Sequence, residues 1–283
     1  MIINCNSTTI DLYEGHVMGV LNVTPDSFYD GGKYKDLNSI VSQAKQMLED
    51  GATFIDIGGA STNPGADVVD EKEEINRVIP AINAIKQHAP KAIISIDTTS
   101  SVVAEKAVTS CASIVNDISA GTFDERMFAV VASLGIPYIA MHIQGTPKTM
   151  QINPTYDNVV DDVFRAMESF RDRAFKQGIK QIIIDPGFGF GKTLSHNYQL
   201  LNHLDKFQSL GHPILVGASR KSMIQKPINV QAENALNGTT VVNTIAALQG
   251  ASILRVHDVK EAVQVFKIVN YMNQQSSQTS SSL

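Results

Sequence analysis

Short apolar runs recur along the chain, each carrying a polar residue near its C-terminal end and each followed by a segment with helical spacing. In the first, Val17, Met18, Val20, Leu21 and Val23 surround Asn22. Such runs suit strands that are covered on both faces. Turn chemistry follows at Thr24, Pro25, Asp26, Ser27 and Asp30-Gly31-Gly32. Leu37, Ile40, Val41, Ala44, Met47 and Leu48 then fall at helical spacing, and Gly51 stops the helix. The cycle repeats. Strands are predicted over Thr53–Gly59, Ala92–Thr98, Ser113–Ile118, Pro137–Ile143, Gln181–Gly187, Pro213–Ser219 and Ile253–Asp258. Helices are predicted over Glu71–His88, Ser100–Ser110, Asp124–Leu134, Tyr156–Gln177, Ser195–Ser209, Ala232–Gln249 and Val259–Met272.

Eight strand–helix units imply right-handed βαβ connections and a parallel sheet. Spread over about 255 residues they have the size of one (β/α)8 TIM barrel, an α/β fold. An open doubly wound sheet is the competing architecture. It needs a glycine-rich turn after the first strand, and Asn22-Val23-Thr24-Pro25-Asp26-Ser27 has none. The expected organisation is a single catalytic domain over residues 1–272, then a disordered polar tail over 273–283, NQQSSQTSSSL.

Composition narrows the function classes. A formal charge of -5 argues against a nucleic-acid or membrane-surface role, which calls for a basic face. Cys5 and Cys111 are too few for a disulfide framework and have no metal-ligand spacing, so a reducing, cytoplasmic compartment is expected. The N-terminus lacks the basic and apolar regions of a signal peptide, and no apolar run approaches the ~20 residues of a membrane helix.

In a barrel the C-terminal strand ends form one surface. Here they deliver Asn22, Asp56, Thr62, Asp97, Asn116, His142, Asp185, Ser219, Arg220, Lys221, Ser222, Arg255, His257 and Asp258. Asp258 reads as a cap for the next helix, Asp56 and Asp117 as loop anchors, and His142 stays unassigned. Asp97, Asn116 and Asp185 form a carboxylate–amide patch suited to a planar donor edge such as an aminopyrimidine. Arg255, His257, Lys221 and the Ser219 and Ser222 hydroxyls form a basic patch suited to phosphate or carboxylate. A heterocycle joined to a phosphate satisfies both. Pro186–Thr193 imitates a phosphate-binding P-loop, but Pro186 stands where that motif needs glycine. The paired Asp residues suggest a glycosidase, but the chain has no Trp and 6% aromatics, too few for sugar platforms. A Schiff-base role for Lys221 is less favoured than a charge role within its anion cluster.

The blocks LNVTPDSFYDGG, IDIGGAST-NPGA, SIDT, VNDISAG, MHIQGTPKTMQ, IDPGFGFGK, GASRKSMI and RVHDVKE, in this order, resemble the signature blocks of dihydropteroate synthase. The resemblance runs from Val17 to the last helix. It implies a (β/α)8 barrel that condenses 6-hydroxymethyl-7,8-dihydropterin diphosphate with 4-aminobenzoate in folate biosynthesis, releasing diphosphate. It also implies residue roles. Asp97, Asn116, Met141, Asp185, Phe190 and Lys221 bind the pterin. Asn22, Thr62, Arg255 and His257 bind diphosphate, and Asn22 helps to hold Mg2+. Phe28, Pro64, Phe190 and Ser222 form the aminobenzoate site. Asn22, Asp30, Lys221, Arg255 and His257 are the implied catalytic set, with an SN1-like transfer in which Asp97, Asp185 and Asp30 stabilise a pterin methylene cation. Sulfonamides are implied as competing ligands and a homodimer as the assembly.

The second loop departs from the family pattern Ser-Ser/Thr-Arg-Pro-Gly: Ser61-Thr62-Asn63-Pro64-Gly65 lacks the cation, and Ala60 replaces a larger residue. Two rival readings are a pterin-binding methyltransferase barrel and a catalytically silent relative. Lys221-Ser222 and Arg255-x-His257 are anion sites that the first does not need. Intact Asn22, Asp30, Arg255 and His257 argue against the second.

Overall fold

The computed structural model describes residues 1–23, 33–60 and 69–280. Eight parallel strands make the sheet: β3 (His16–Asn22), β4 (Phe54–Gly58), β5 (Ile93–Asp97), β6 (Ile114–Asp117), β7 (Tyr138–Met141), β8 (Ile182–Asp185), β9 (Leu215–Val216) and β10 (Ile253–Val256). Their order is β8-β7-β6-β5-β4-β3-β10-β9, and a parallel bridge from Ile184 to Ile214 joins β8 to the β9 side. The sheet therefore closes into the expected barrel.

Alternation along the strands divides their side chains between two cores. Outward residues such as Ile55, Ile57, Ile94, Ile96, Val115 and Tyr138 share one cluster with the surrounding helices. Inward, each strand contributes one large apolar residue to a floor: Met18, Phe54, Ile93, Ile114, Ile139, Ile183, Leu215 and Ile253. An antiparallel hairpin of β1 (Ile2–Cys5) and β2 (Thr8–Asp11) plugs this end of the barrel with Ile3, Cys5 and Leu12. The sequence pattern did not predict the hairpin. Its signals are short: buried Ile3 and Cys5 alternate with exposed Ile2, Asn4 and Asn6, and Asn6 turns the chain at φ +54°.

The helices are α1 (Lys33–Glu49), α2 (Glu71–His88), α3 (Ser101–Thr109), α4 (Met127–Leu134), α5 (Val159–Lys176), α6 (Leu194–Asn202), α7 (Ser222–Ile228), α8 (Leu236–Leu248) and α9 (Val259–Ser280). α2 follows the capping rules: Asp70 accepts from the Glu73 N–H, acids fill the first turn, and Lys86 and His88 sit in the last. Several boundaries differ from the pattern's prediction: α1 begins at Lys33 rather than Leu37, α4 at Met127 rather than Asp124, and α5 at Val159 rather than Tyr156. α6 stops at Asn202, because His203 leaves helical geometry (φ -122°, ψ 27°) and the chain continues as a 3-10 segment over Leu204–Leu210. α8 begins at Leu236, after a separate 3-10 turn over Ala232–Asn234. α9 continues past Met272 to Ser280.

Candidate active site

On five strands the inward position two residues beyond the apolar floor is polar. Counting from Phe54, Ile93, Ile114, Ile183 and Ile253 gives Asp56, Ser95, Asn116, Asp185 and Arg255, and a further step on three strands gives Asn22, Asp97 and His257. Asp97 lies opposite Asn116 in the register of β5 and β6, and Met141 opposite Asp185 in that of β7 and β8. The acid–amide patch is thus a ring of side chains facing into the barrel mouth.

The two patches that the sequence separates are interleaved. The Arg255 guanidinium crosses to the acidic side, where its Nε donates to Asp56 Oδ2 (2.6 Å) and its Nη2 to Asp97 Oδ2 (2.7 Å). Asn116 Nδ2 donates to the same Asp56 oxygen at 3.0 Å. That bond fixes the amide, because a carboxylate only accepts, so the Asn116 carbonyl is left for a ligand N–H. Asp185 Oδ1 accepts from the Gly187 N–H at 2.7 Å. Its Oδ2 borders the space that a Cβ on Gly217 would enter, with the Arg255 stem on the other side. Gly58 leaves similar room between Asn22 and Asp97. The two glycines keep the mouth open where side chains would fill it.

Lys221 stands on the far side, with Nζ 2.7 Å from Phe188 O and 4.5 Å from the centre of the Phe190 ring. Phe190 and Met141 meet in an apolar cluster with Ile118 and Met150. Ser219 Oγ lies 3.0 Å from His257 Nδ1 and accepts from the His257 backbone N–H. The hydroxyl thus ties the imidazole to its own backbone and fixes the ring at the mouth. Ser222 is exposed at the start of α7.

Burial sets the titration of these groups. It pushes Asp97 up to about 7, against the pull of Arg255. It also raises Asp185, with Lys221 opposing, and lowers Lys221 to about 8, with Asp185 opposing. The Arg255 guanidinium loses hydration, yet Asp56 and Asp97 hold it well above the ordinary arginine value. Partial burial, with Arg255 and Arg220 nearby, lowers His257 below the ordinary histidine value.

Three further readings change. Arg220 turns away from the mouth and grips Asp258 through two bonds of 2.9 and 2.5 Å, so neither serves the site, and the Asp258 side chain is an ion-pair partner rather than a helix cap. Asp117 is the loop anchor it was expected to be, accepting from Ser119, Gly121 and Tyr138. Asp56 is not a loop anchor: it is fully buried in the barrel interior. The signal for it was its inward parity two residues beyond Phe54. Phe28, Asp30, Thr62, Asn63 and Pro64 lie outside the described residues.

Asp56→Ala is expected to destabilise the fold by about 3–5 kcal/mol, because Arg255 loses a buried partner. Adding Arg255→Ala is expected to cost less than the sum of the two single variants. Urea unfolding of all four proteins reads this coupling.

His142 is buried, and burial with Lys192 beside it pushes its pKa from 6.5 down to about 2. The unfolded chain therefore takes up this proton first as pH falls. The stability that the neutral ring contributes is full above about 6.5 and is lost as pH falls through about 2. The stability gap between the wild type and His142→Leu is expected to shrink as pH is lowered from 7 towards 3, measured by denaturant midpoints.

Residues 18–257 match the family described as pterin binding enzymes. The chain is 46% identical over 264 residues to the dihydropteroate synthase of Escherichia coli K12, covering 93% of each chain. It superposes with a TM-score of 0.91 on a Yersinia pestis dihydropteroate synthase in complex with a sulfonamide drug, at 42% identity, covering 97% of this chain and 100% of that one. A Xanthomonas albilineans dihydropteroate synthase with 4-aminobenzoic acid gives a TM-score of 0.90 at 36% identity, covering 96% and 98%.

Proposed function

The chain belongs to the dihydropteroate synthase family, transferases of folate biosynthesis, and from that premise we propose how its barrel mouth works. The substrates are a pterin diphosphate and 4-aminobenzoate. The pterin lies in the ring of Asp97, Asn116 and Asp185, with Met141 and Phe190 against its faces and Lys221 at its far edge. The observation that carries this placement is the polar ring itself. Three carboxylates, Asp56, Asp97 and Asp185, face two cations, Arg255 and Lys221, leaving acceptors in excess for a donor-rich heterocycle.

The nucleophile is an aromatic amine that is neutral at pH 7, so the site needs no strong base to generate it. Catalysis falls instead on the leaving diphosphate. Arg255 supplies fixed positive charge, and His257 adds its imidazole beside it. Charge developing on the pterin methylene faces Asp97 and Asp185, which favours cleavage of the C–O bond ahead of attack, an SN1-like course. Asn22 and Thr62 complete the diphosphate side, Asp30 joins Asp97 and Asp185 in stabilising the methylene cation, and Phe28, Pro64, Phe190 and Ser222 form the aminobenzoate side, as the family resemblance implies.

Asn22 ends β3 exposed at the mouth, and its Oδ1 lies 3.5 Å from the position of a Gly58 Cβ. No group of three His, Cys, Asp or Glu that could hold a metal exists among the described residues. A single amide oxygen suits Mg2+, which keeps its waters and draws on substrate phosphates. When bound, Mg2+ supplies a Lewis acid that takes up charge on the departing diphosphate. Sulfonamides, as competitors of aminobenzoate, belong to the same reading.

We further propose a homodimer, supported by exposed Val241 and Leu248 on α8 and Ile268 and Tyr271 on α9. Sedimentation velocity tests it. A cytoplasmic location is supported by the exposed free thiol of Cys111. No described helix is long and apolar enough to cross a membrane.

The deciding experiment is diphosphate release from 6-hydroxymethyl-7,8-dihydropterin diphosphate with and without 4-aminobenzoate. Release that depends on both substrates is expected. No release, or release indifferent to aminobenzoate, overturns the assignment.

A further inference from the structure

The segment Pro186–Gly191, which follows β8, imitates a P-loop without being one, and its last neighbour is a buried lysine. Lys192 is 3% exposed. Its Nζ donates to Gly187 O (2.9 Å), Phe190 O (3.0 Å) and His142 Nδ1 (2.9 Å). An ammonium has three N–H donors, and these three acceptors are the near ones, with His142 O farther off at 3.4 Å. None of the three is a carboxylate. The imidazole accepts only in its neutral form, and burial keeps His142 in that form.

The segment it grips is held to an unusual degree. All five carbonyls from Gly187 to Gly191 accept a side-chain donor: Lys192 serves 187 and 190, Lys221 serves 188, Gln151 serves 189, and the Tyr156 hydroxyl serves 191. Gly187 has φ +74°, and a Cβ there would fall 1.9 Å from His142 O, so the segment lies directly on the end of β7. The same turn presents Phe188 O and the Phe190 ring to Lys221.

We propose that Lys192 is a positioning residue for the pterin site: its ammonium moulds Pro186–Gly191 so that Phe190 and Lys221 are held together at the pocket's edge. The proposal rests on the assignment of that pocket to a pterin. Lys192 touches no substrate in this arrangement and acts only through the Gly187 and Phe190 carbonyls and through the ring and carbonyl of His142. The pH at which it acts depends on the charges facing it: burial lowers Lys192 to about 7, Asp185 resists, and Lys221 adds to the fall.

The test uses full-length protein, calorimetry with 6-hydroxymethyl-7,8-dihydropterin, steady-state kinetics and fluorine NMR of fluorophenylalanine-labelled chain, with the Phe190 signal assigned by Phe190→Leu. Lys192→Met is expected to weaken pterin binding about tenfold or more and to raise KM for the pterin diphosphate, with kcat within about threefold. The Phe190 signal is expected to shift, while those of Phe54 and Phe207, deep in the two cores, stay in place. His142→Leu removes one of the three acceptors and is expected to act in the same direction by about threefold. Should Lys192→Met lose its fold, His142→Leu decides: weakened binding with a shifted Phe190 signal supports the proposal. Wild-type affinity with an unmoved Phe190 signal in the folded variants overturns it. A wild-type protein that neither binds the pterin nor releases diphosphate overturns the functional reading as well.

Discussion

Arg255→Ala is expected to lower kcat by about 10²–10³-fold, the usual loss when one preorganised donor to developing charge is removed. The contact strengthens as the diphosphate departs, so the loss belongs in kcat rather than KM. The structure adds a second consequence. Asp56 and Asp97 are held by this guanidinium at 2.6 and 2.7 Å, and removing it strands two carboxylates in the barrel interior. Stability is expected to fall by about 3–5 kcal/mol at the same time. Kinetics recorded well below the variant's melting temperature separate the two effects. Arg255→Lys keeps a charge but not the two-armed geometry, and it is expected to recover stability more than kcat. An unchanged kcat with only a raised KM would refute a role on the leaving group.

Asp185→Asn is expected to reduce pterin affinity by about 10- to 100-fold, the loss of a charge-assisted contact worth roughly 1.5–3 kcal/mol. The fold is expected to survive. Oδ1 accepts from the Gly187 N–H at 2.7 Å, and an asparagine oxygen can do the same. The amide then turns its NH2 towards the gap over Gly217, donor facing donor where the pterin edge needs an acceptor. Calorimetry with the pterin decides it, and wild-type affinity in a folded variant removes Asp185 from the site. The same experiment on Asn116→Asp is a useful companion, because Asn116 owes its orientation to the neighbouring Asp56.

The sequence by itself determined the barrel. Eight apolar runs, each ending in a polar residue and followed by helical spacing, leave little choice, because strand period, helix period and turn residues are local properties of the chain. It also named most of the side chains that meet at the barrel mouth, since in a closed parallel barrel every strand's C-terminal end reaches one face. Asp97, Asn116, Asp185, Lys221 and Arg255 were legible on that basis alone, and the ordered blocks made the family legible too. Tertiary structure decided how these groups are wired. Arg255 and Asp56 are 199 residues apart, and no local pattern reports that they bond. Nor does one show that Arg220 turns from the mouth to Asp258, 38 residues on, while Lys221 beside it faces the site. The roles of Lys192 and the β1–β2 hairpin were hidden for the same reason. A buried ammonium is tolerated only where three acceptors converge on it, and a plug is recognisable only once there is a barrel end to close. Periodicity tells which face a side chain occupies, whereas charge state and bonding partner depend on what the rest of the chain brings within about 3 Å of it.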